Sequence, residues 1–174
     1  MRLNVGCGEF YAPGWINVDV VDSDKYNIHP DLVVDVMALP DHIRDLDAVY
    51  CGHFLEHITE DQVTEFLIRI QRRMKPGAPF VAVGPDTKRA TQMYQQGRLD
   101  KETMLRCHKS TEPAGWVGAG HMWDCHEYAV AKHMITAGLQ EVEPIPIRSK
   151  RLNPYPVVAR QLWQFAVIAK SPKE

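Results

Sequence analysis

Apolar residues along this chain fall into two kinds of run that alternate. Short runs rich in Val, Ile and Leu occur at Arg2–Val5, Trp15–Val20, Leu32–Val36, Ala48–Cys51 and Pro79–Gly84, with two more at Gln140–Ile147 and Gln161–Ala169. Their length and their β-branched content read as strands. Between them lie segments with helical spacing. Thr59–Met74 sets Val63, Phe66, Leu67, Ile70 and Met74 on one stripe, opens on the capping-box pair Thr59 and Gln62, and stops at Pro76-Gly77. A second helix is expected from Cys125 to Ala137, capped by Asp124, buried through Tyr128, Ala131, Met134 and Ile135, and ended by Gly138. Strand and helix patterns in alternation predict an α/β fold with a mostly parallel sheet.

Two places break the rhythm. Only Glu9–Trp15 separates Gly8 from the second strand, whereas parallel neighbours usually need a crossover of about a dozen residues. The first crossover therefore cannot hold a full helix, and Asp22–Pro30 is similarly short. Residues 86–120 form an insertion after the fifth strand, with helical pieces at Thr87–Gln96 and Lys101–His108 and a loop over Glu112–Gly120. Insertions of this kind commonly serve as lids or acceptor-binding elements.

Composition narrows the function. A chain of 174 residues fits a single domain spanning residues 1–174. A net charge of -2 and a pI near 6.4 argue against unaided nucleic-acid binding. The basic residues Arg148, Lys150 and Arg151 read as a solvated loop. Cys7, Cys51, Cys107 and Cys125 form no Cys-x-x-Cys pair, and Cys107, His108, His121, Cys125 and His126 match no usual zinc spacing, so no metal is expected. No basic-then-apolar leader opens the chain, and no apolar run nears the roughly 18 residues of a membrane span. The expectation is a reduced, cytoplasmic protein.

The candidate chemistry gathers at strand ends. Gly6 and Gly8 follow the first strand, where glycine lets the backbone turn sharply and a ligand come close. Asp19 ends the second strand, where a carboxylate can accept from both hydroxyls of a ribose. Asp35 ends the third, where it can accept from an adenine amino group while Met37 packs on the ring. Each residue alone is an ordinary turn residue. At successive strand ends they converge on one crevice beyond the carboxyl edge of the sheet.

The series LNVGCG, GWINVD, DVMALP, DAVYCGHFLEH and MKPGAPFVAV resembles the class I S-adenosylmethionine-dependent methyltransferases. It is most similar to short methyltransferases whose first motif reads LNLGCG followed by PGWINVD. The resemblance covers residues 2–86, and residues 120–139 more loosely. It implies a Rossmann-like, seven-stranded fold and S-adenosylmethionine as cofactor, with S-adenosylhomocysteine as product. It also implies that Asn4, Gly6, Cys7 and Gly8 line the methionine and ribose parts. Asp19 would bind the ribose with Val20 against the adenine, Asp35 and Met37 would hold the adenine edge, and Cys51, Gly52 and His53 would face the sulfonium. Asn4 departs from the acidic residue usual at its position, and Phe10 stands where a third glycine is common.

A sulfonium is an activated methyl donor, so catalysis needs in-line positioning and a base for a hydroxyl acceptor. His53, Asp86 and His121 are the candidate catalytic residues, and His57 reads as a packing residue. The acceptor is expected to be a small molecule or sugar, with Tyr94, Trp116 and Trp123 as a candidate aromatic wall. Two other readings stay open at this point: a methyltransferase-like module that binds cofactor without activity, and a nicotinamide-dependent oxidoreductase. GCGEF disfavours the latter, lacking the third glycine and the helix whose N-terminus holds a pyrophosphate.

Overall fold

The computed structural model describes residues 1–108, 120–157 and 160–173. Its strands are β1 (Arg2–Val5), β2 (Ile16–Asp19), β3 (Leu32–Val33), β4 (Ala48–Gly52), β5 (Pro79–Pro85), β6 (Gln140–Ile145) and β7 (Gln164–Lys170). Its helices are α1 (Glu60–Gln71), α2 (Thr87–Gln95), α3 (Lys101–Cys107) and α4 (Glu127–Thr136). The strands form one sheet in the order β3-β2-β1-β4-β5-β7-β6, and β7 runs antiparallel to both its neighbours. Register is fixed at the centre by Leu3 against Ile16 on one side and Val5 against Cys51 on the other. The strand order reverses between β1 and β4, which opens a crevice at their carboxyl ends. This is the expected α/β sheet with abbreviated first crossovers: residues 6–15 carry no helix, and the second link holds only a 3-10 turn at Asp24–Tyr26.

Strand alternation splits the core into two layers. Val49, Cys51, Phe80 and Ala82 face α1 and α4, where Val63, Phe66, Leu67, Ile70, Val130 and Met134 are buried. Burying each such side chain contributes about 1.5–3 kcal/mol. Ala48, Tyr50, Val81 and Val83 face the other way and are covered by Ala12, Trp15, Ile147 and Leu152 from loops and a 3-10 turn. Loops cover that face because the short early crossovers supply no helix. Among the described residues no helix is long and apolar enough to cross a membrane.

Three sequence expectations need correction. The third strand stops at Val33, not Val36, because Asp35 accepts from the Met37 backbone N–H at 2.8 Å and caps a 3-10 turn at Val36–Ala38. The last helix begins at Glu127 and is capped by His126, whose Nδ1 accepts from Ala129 N. Cys125 is held back by Thr87, whose N–H and hydroxyl both donate to its carbonyl at 3.0 Å, and Asp124 pairs with His108 instead. The buried face of α4 is consequently Val130, Ala131 and Met134, while Tyr128 and Ile135 lie at the surface.

Candidate active site

The turn after β1 lacks a helix to satisfy its backbone, and two asparagines do that work. Asn17 is wholly buried; its Nδ2 donates to Ala12 O, Trp15 O and Asp31 Oδ2, and its Oδ1 accepts from Ala12 N at 2.8 Å. Asn4 Nδ2 donates to Asn17 Oδ1 at 2.9 Å and to Phe10 O at 3.1 Å. Asp31 closes the network by accepting from Asn17 N and from the Tyr11 hydroxyl. Burial works to raise the Asp31 carboxyl, but the hydrogen bonds from Asn17 and Tyr11 outweigh it and hold it below the ordinary value.

Held this way, Gly6 and Gly8 take the left-handed region, with φ of 60° and 50°. Their roles differ. A Cβ on Gly6 would sit 2.8 Å from Phe54 Cδ2, so that glycine is required by protein packing. A Cβ on Gly8 would meet no protein atom within 4 Å, so it borders open space. Asp19 ties the second strand end to this turn, accepting from Gly8 N at 2.9 Å and Val21 N at 3.0 Å. Each carboxylate oxygen keeps a second lone pair for another donor.

At the end of β4, His53 also has a positive φ, 54°, which costs a non-glycine residue about 1–3 kcal/mol and is characteristic of functional sites. Its N–H donates to Val83 O, fixing it to the adjacent strand. The ring is gripped from both sides. Nδ1 lies 3.1 Å from Glu56 Oε1 and Nε2 lies 2.6 Å from Gln164 Nε2. Glu56 is fully buried, whereas the His53 side chain is 37% exposed. Burial works to lower the His53 ring, but the Glu56 hydrogen bond and charge prevail and raise it. Burial works to raise Glu56, but His53 and then His57 draw it below the ordinary carboxyl. Burial, helped by the charges of His57 and His53, moves His121 down against the pull of Glu56 and the Cys107 carbonyl, favouring its neutral form.

Two cavities meet at this point. One of about 280 Å³ is lined by Gly6, Gly8, Asp19, Val20, Asp35, His53, Phe54 and His57. The other, of about 550 Å³, is lined by Asn4, Gly6, Cys7, Phe10, Tyr50, Gly52, His53, Leu99, Thr103, Trp163 and Gln164. Gly6 and His53 belong to both.

Most expected site residues thus surround these cavities, but several lie elsewhere. Cys51 points into the helix-facing core and is fully buried. Met37 borders an arginine-rich surface groove instead. Asp86 lines neither cavity: its Oδ1 accepts from Arg89 N at 2.9 Å and caps α2. His121 packs edge-on against His57, with ring centroids 5.2 Å apart. Trp123 is in the core and donates to Leu55 O, Tyr94 lines neither cavity, and Trp116 lies outside the described residues. The insertion does reach the larger cavity, through Leu99 and Thr103. Its expected loop falls on residues outside the described set, apart from Gly120. Sequence reasoning missed Glu56 as the partner of His53, and missed Tyr50 and Gln164, which only strand pairing brings to the site.

No protein-family model matches this chain, and no curated protein matches it. Solved structures do. An S-adenosylmethionine-dependent methyltransferase from Methanosarcina mazei aligns over 99% of this chain and 92% of its own, at 15% identity and a TM-score of 0.62. One from Clostridium acetobutylicum ATCC 824 aligns over 98% of this chain and 83% of its own, at 12% identity and a TM-score of 0.62. Human N-acetylserotonin methyltransferase, solved with S-adenosylmethionine, aligns over 99% of this chain at 14% identity and a TM-score of 0.53; this chain spans 47% of that protein's length. At such identities the likeness is one of architecture: this chain has the Rossmann-like fold of S-adenosylmethionine-dependent methyltransferase structures.

Proposed function

We propose that this chain is an S-adenosylmethionine-dependent methyltransferase acting on a hydroxyl or amine of a small molecule or sugar. The observation that carries the reading is the junction of the two cavities at Gly6 and His53. A donor in the smaller cavity and an acceptor in the larger would meet beside one imidazole. The residues of the smaller cavity fit the cofactor. Gly8 leaves open space, Asp19 keeps lone pairs for a ribose diol, and the Asp35 carboxylate borders the same cavity. Val20, nearly half exposed, offers an apolar surface for the adenine. The amino-acid end would cross the junction into the near side of the larger cavity, along Gly6, Cys7 and Gly52, with Asn4 bracing the turn from below. When bound, the cofactor supplies an activated methyl group.

The remaining chemistry belongs to the chain. Gln164 Oε1 accepts from Gln161 N at 2.7 Å, so its nitrogen faces His53 and donates to Nε2. His53 Nδ1–H then donates to Glu56, and Nε2 holds a lone pair at the cavity junction. An acceptor hydroxyl that displaces Gln164 would find that lone pair as its general base. The carboxylate behind Nδ1 stabilises the imidazolium that forms, and Leu99 and Thr103 of residues 86–120 wall the acceptor side. The absence of a helix after Gly8 leaves no dipole for a pyrophosphate, which weighs against a nicotinamide cofactor.

Calorimetric titration with S-adenosylmethionine and S-adenosylhomocysteine tests this. One competitive site for the two is expected. No binding of either ligand overturns the reading. Binding without methyl release to any of a panel of hydroxyl and amine acceptors supports the inactive binding module instead.

A further inference from the structure

Behind His53, Glu56 reaches past the proposed base to a second cluster whose two histidines methyl transfer does not use. Glu56 gives Oε1 to His53, and its Oε2 is, among the described residues, the one buried side-chain nitrogen or oxygen with no hydrogen-bond partner. A buried oxygen on an ionised carboxylate calls for a cation or a donor. His57 and His121 stand around it: one ligand atom from each of the three residues lies within 4.8 Å of the other two.

The hydrogen bonds of the two rings decide which nitrogens are available. His57 Nδ1 lies 3.2 Å from Gly120 O, and His121 Nδ1 lies 3.2 Å from Cys107 O. A carbonyl only accepts, so each Nδ1 carries the proton and each Nε2 keeps its lone pair. Backbone carbonyls impose this same tautomer on metal-bound histidines. The segment bearing His121 is seated firmly, since Met122 N donates to Glu56 O at 2.7 Å and Trp123 Nε1 donates to Leu55 O at 2.8 Å. Two histidines packed edge-on would suffice for a purely structural contact, but that leaves the lone oxygen of Glu56 unexplained.

We propose that Glu56 Oε2, His57 Nε2 and His121 Nε2 form a binding site for a divalent first-row transition-metal ion. Two imidazoles and one carboxylate suit zinc, iron or cobalt better than magnesium or calcium, which prefer oxygen ligands throughout. Three protein ligands leave at least one position for water or a substrate oxygen. His57 also lines the smaller cavity, so the site adjoins it. This departs from the expectation of no metal drawn from cysteine and histidine spacing, because the ligands come from two distant segments joined only by folding. The proposal stands apart from the methyltransferase reading, and its test uses no cofactor.

The full chain, stripped with a chelator and dialysed, is titrated with Co²⁺ at neutral pH, followed by visible absorption and calorimetry, and then competed with Zn²⁺. One saturable ion per chain is expected, with intensified cobalt bands that Zn²⁺ abolishes. His121→Ala should weaken binding at least roughly tenfold. His29→Ala, which removes an exposed histidine paired with Asp22, should leave it unchanged. A second measurement needs no variant: in ring-nitrogen NMR of the native chain, Zn²⁺ should shift the Nε2 signals of His57 and His121 and spare the exposed His42. No saturable binding, equal binding by His121→Ala, equal loss in His29→Ala, or shifts confined to other histidines would overturn the site.

Discussion

His53 and Gln164 meet with Nε2 of the ring 2.6 Å from the side-chain nitrogen of the glutamine, joining the end of β4 to the start of β7. The other end of the amide is committed to Gln161 N, which sets its orientation. His53 Nε2 must therefore accept, and Nδ1 must donate to Glu56. In ring-nitrogen NMR near pH 8.5, well above the ordinary histidine value, His53 is expected as the Nδ1–H tautomer with an unprotonated Nε2. The opposite tautomer would remove the base proposed at the cavity junction.

Asp19 reaches the glycine turn directly, accepting from Gly8 N. Hydrogen bonds to a charged group are worth about 1.5–3 kcal/mol. Asp19→Ala is therefore expected to weaken S-adenosylhomocysteine binding by roughly 10- to 150-fold. Calorimetric titration checks it, with circular dichroism confirming the fold. Unchanged affinity would mean the ligand sits elsewhere.

The sequence made the sheet legible because most of its strands are short apolar runs, and β1 was readable to the residue. It was less clear at strand ends, where one grammar serves two purposes. Asp19 ends one strand and Asp86 directly follows another, yet Asp19 borders a cavity while Asp86 caps a helix. Only the conformation after each strand separates them. Neighbours in a strand face opposite ways, so Gly52 reaches the larger cavity while Cys51 enters the core, and spacing alone does not say which face holds the ligand. Gln164 and His121 were illegible as partners, because their meetings are made by pairing and packing of segments far apart in the chain, whereas Glu56, three residues from His53, meets it through the local turn that the positive φ of His53 sets.

The two glycines of the turn separate packing from ligand space. Gly6→Ala drives a Cβ into Phe54 at a positive φ, whereas Gly8→Ala meets only the backbone penalty of about 1–2 kcal/mol. Urea unfolding is expected to show the larger loss for Gly6→Ala. Gly8→Val, by contrast, should remain folded and lose S-adenosylhomocysteine binding, since its side chain would occupy the cavity. Normal titration of a folded Gly8→Val would show that the cofactor does not approach this turn.

The cysteines give the pH dependence a sign. Burial, followed by the charges of Asp19 and Asp31, pushes the Cys7 thiol up to about 12. Burial, followed by Glu56 and Asp86, does the same to Cys107, also to about 12. Cys51 and Cys125 are raised well above the ordinary thiol for the same first reason. Thiolate is the reactive form, so iodoacetamide near pH 8 should label the native chain at least about a hundredfold more slowly than the denatured chain. A folded value above the unfolded one means the stabilisation is whole below about 9 and is lost as pH climbs toward about 12. Unfolding midpoints should therefore fall across that alkaline window. Rapid native labelling, or midpoints flat across the window, would show ordinary thiols.

Asn17 tests whether the helix-free crossover depends on a side chain in place of secondary structure. It is the shared partner of Asn4, Ala12, Trp15 and Asp31, and it is fully buried. Asn17→Ala leaves Ala12 N–H and one Asn4 N–H without their acceptor, and each such orphan costs about 1–3 kcal/mol. A net loss of about 3 kcal/mol, or a melting point lower by roughly 6–12 °C for a chain of this size, is expected. The loss should be local in its first expression. Amide exchange at Ala12 should quicken before that of the β5 amides, because those are held within the sheet by β4 and β7. Cofactor affinity should fall as well, since the same network holds Gly6 and Gly8 in their left-handed turn. A stable Asn17→Ala chain with unchanged exchange at Ala12 would show that the turn holds its shape through the backbone alone.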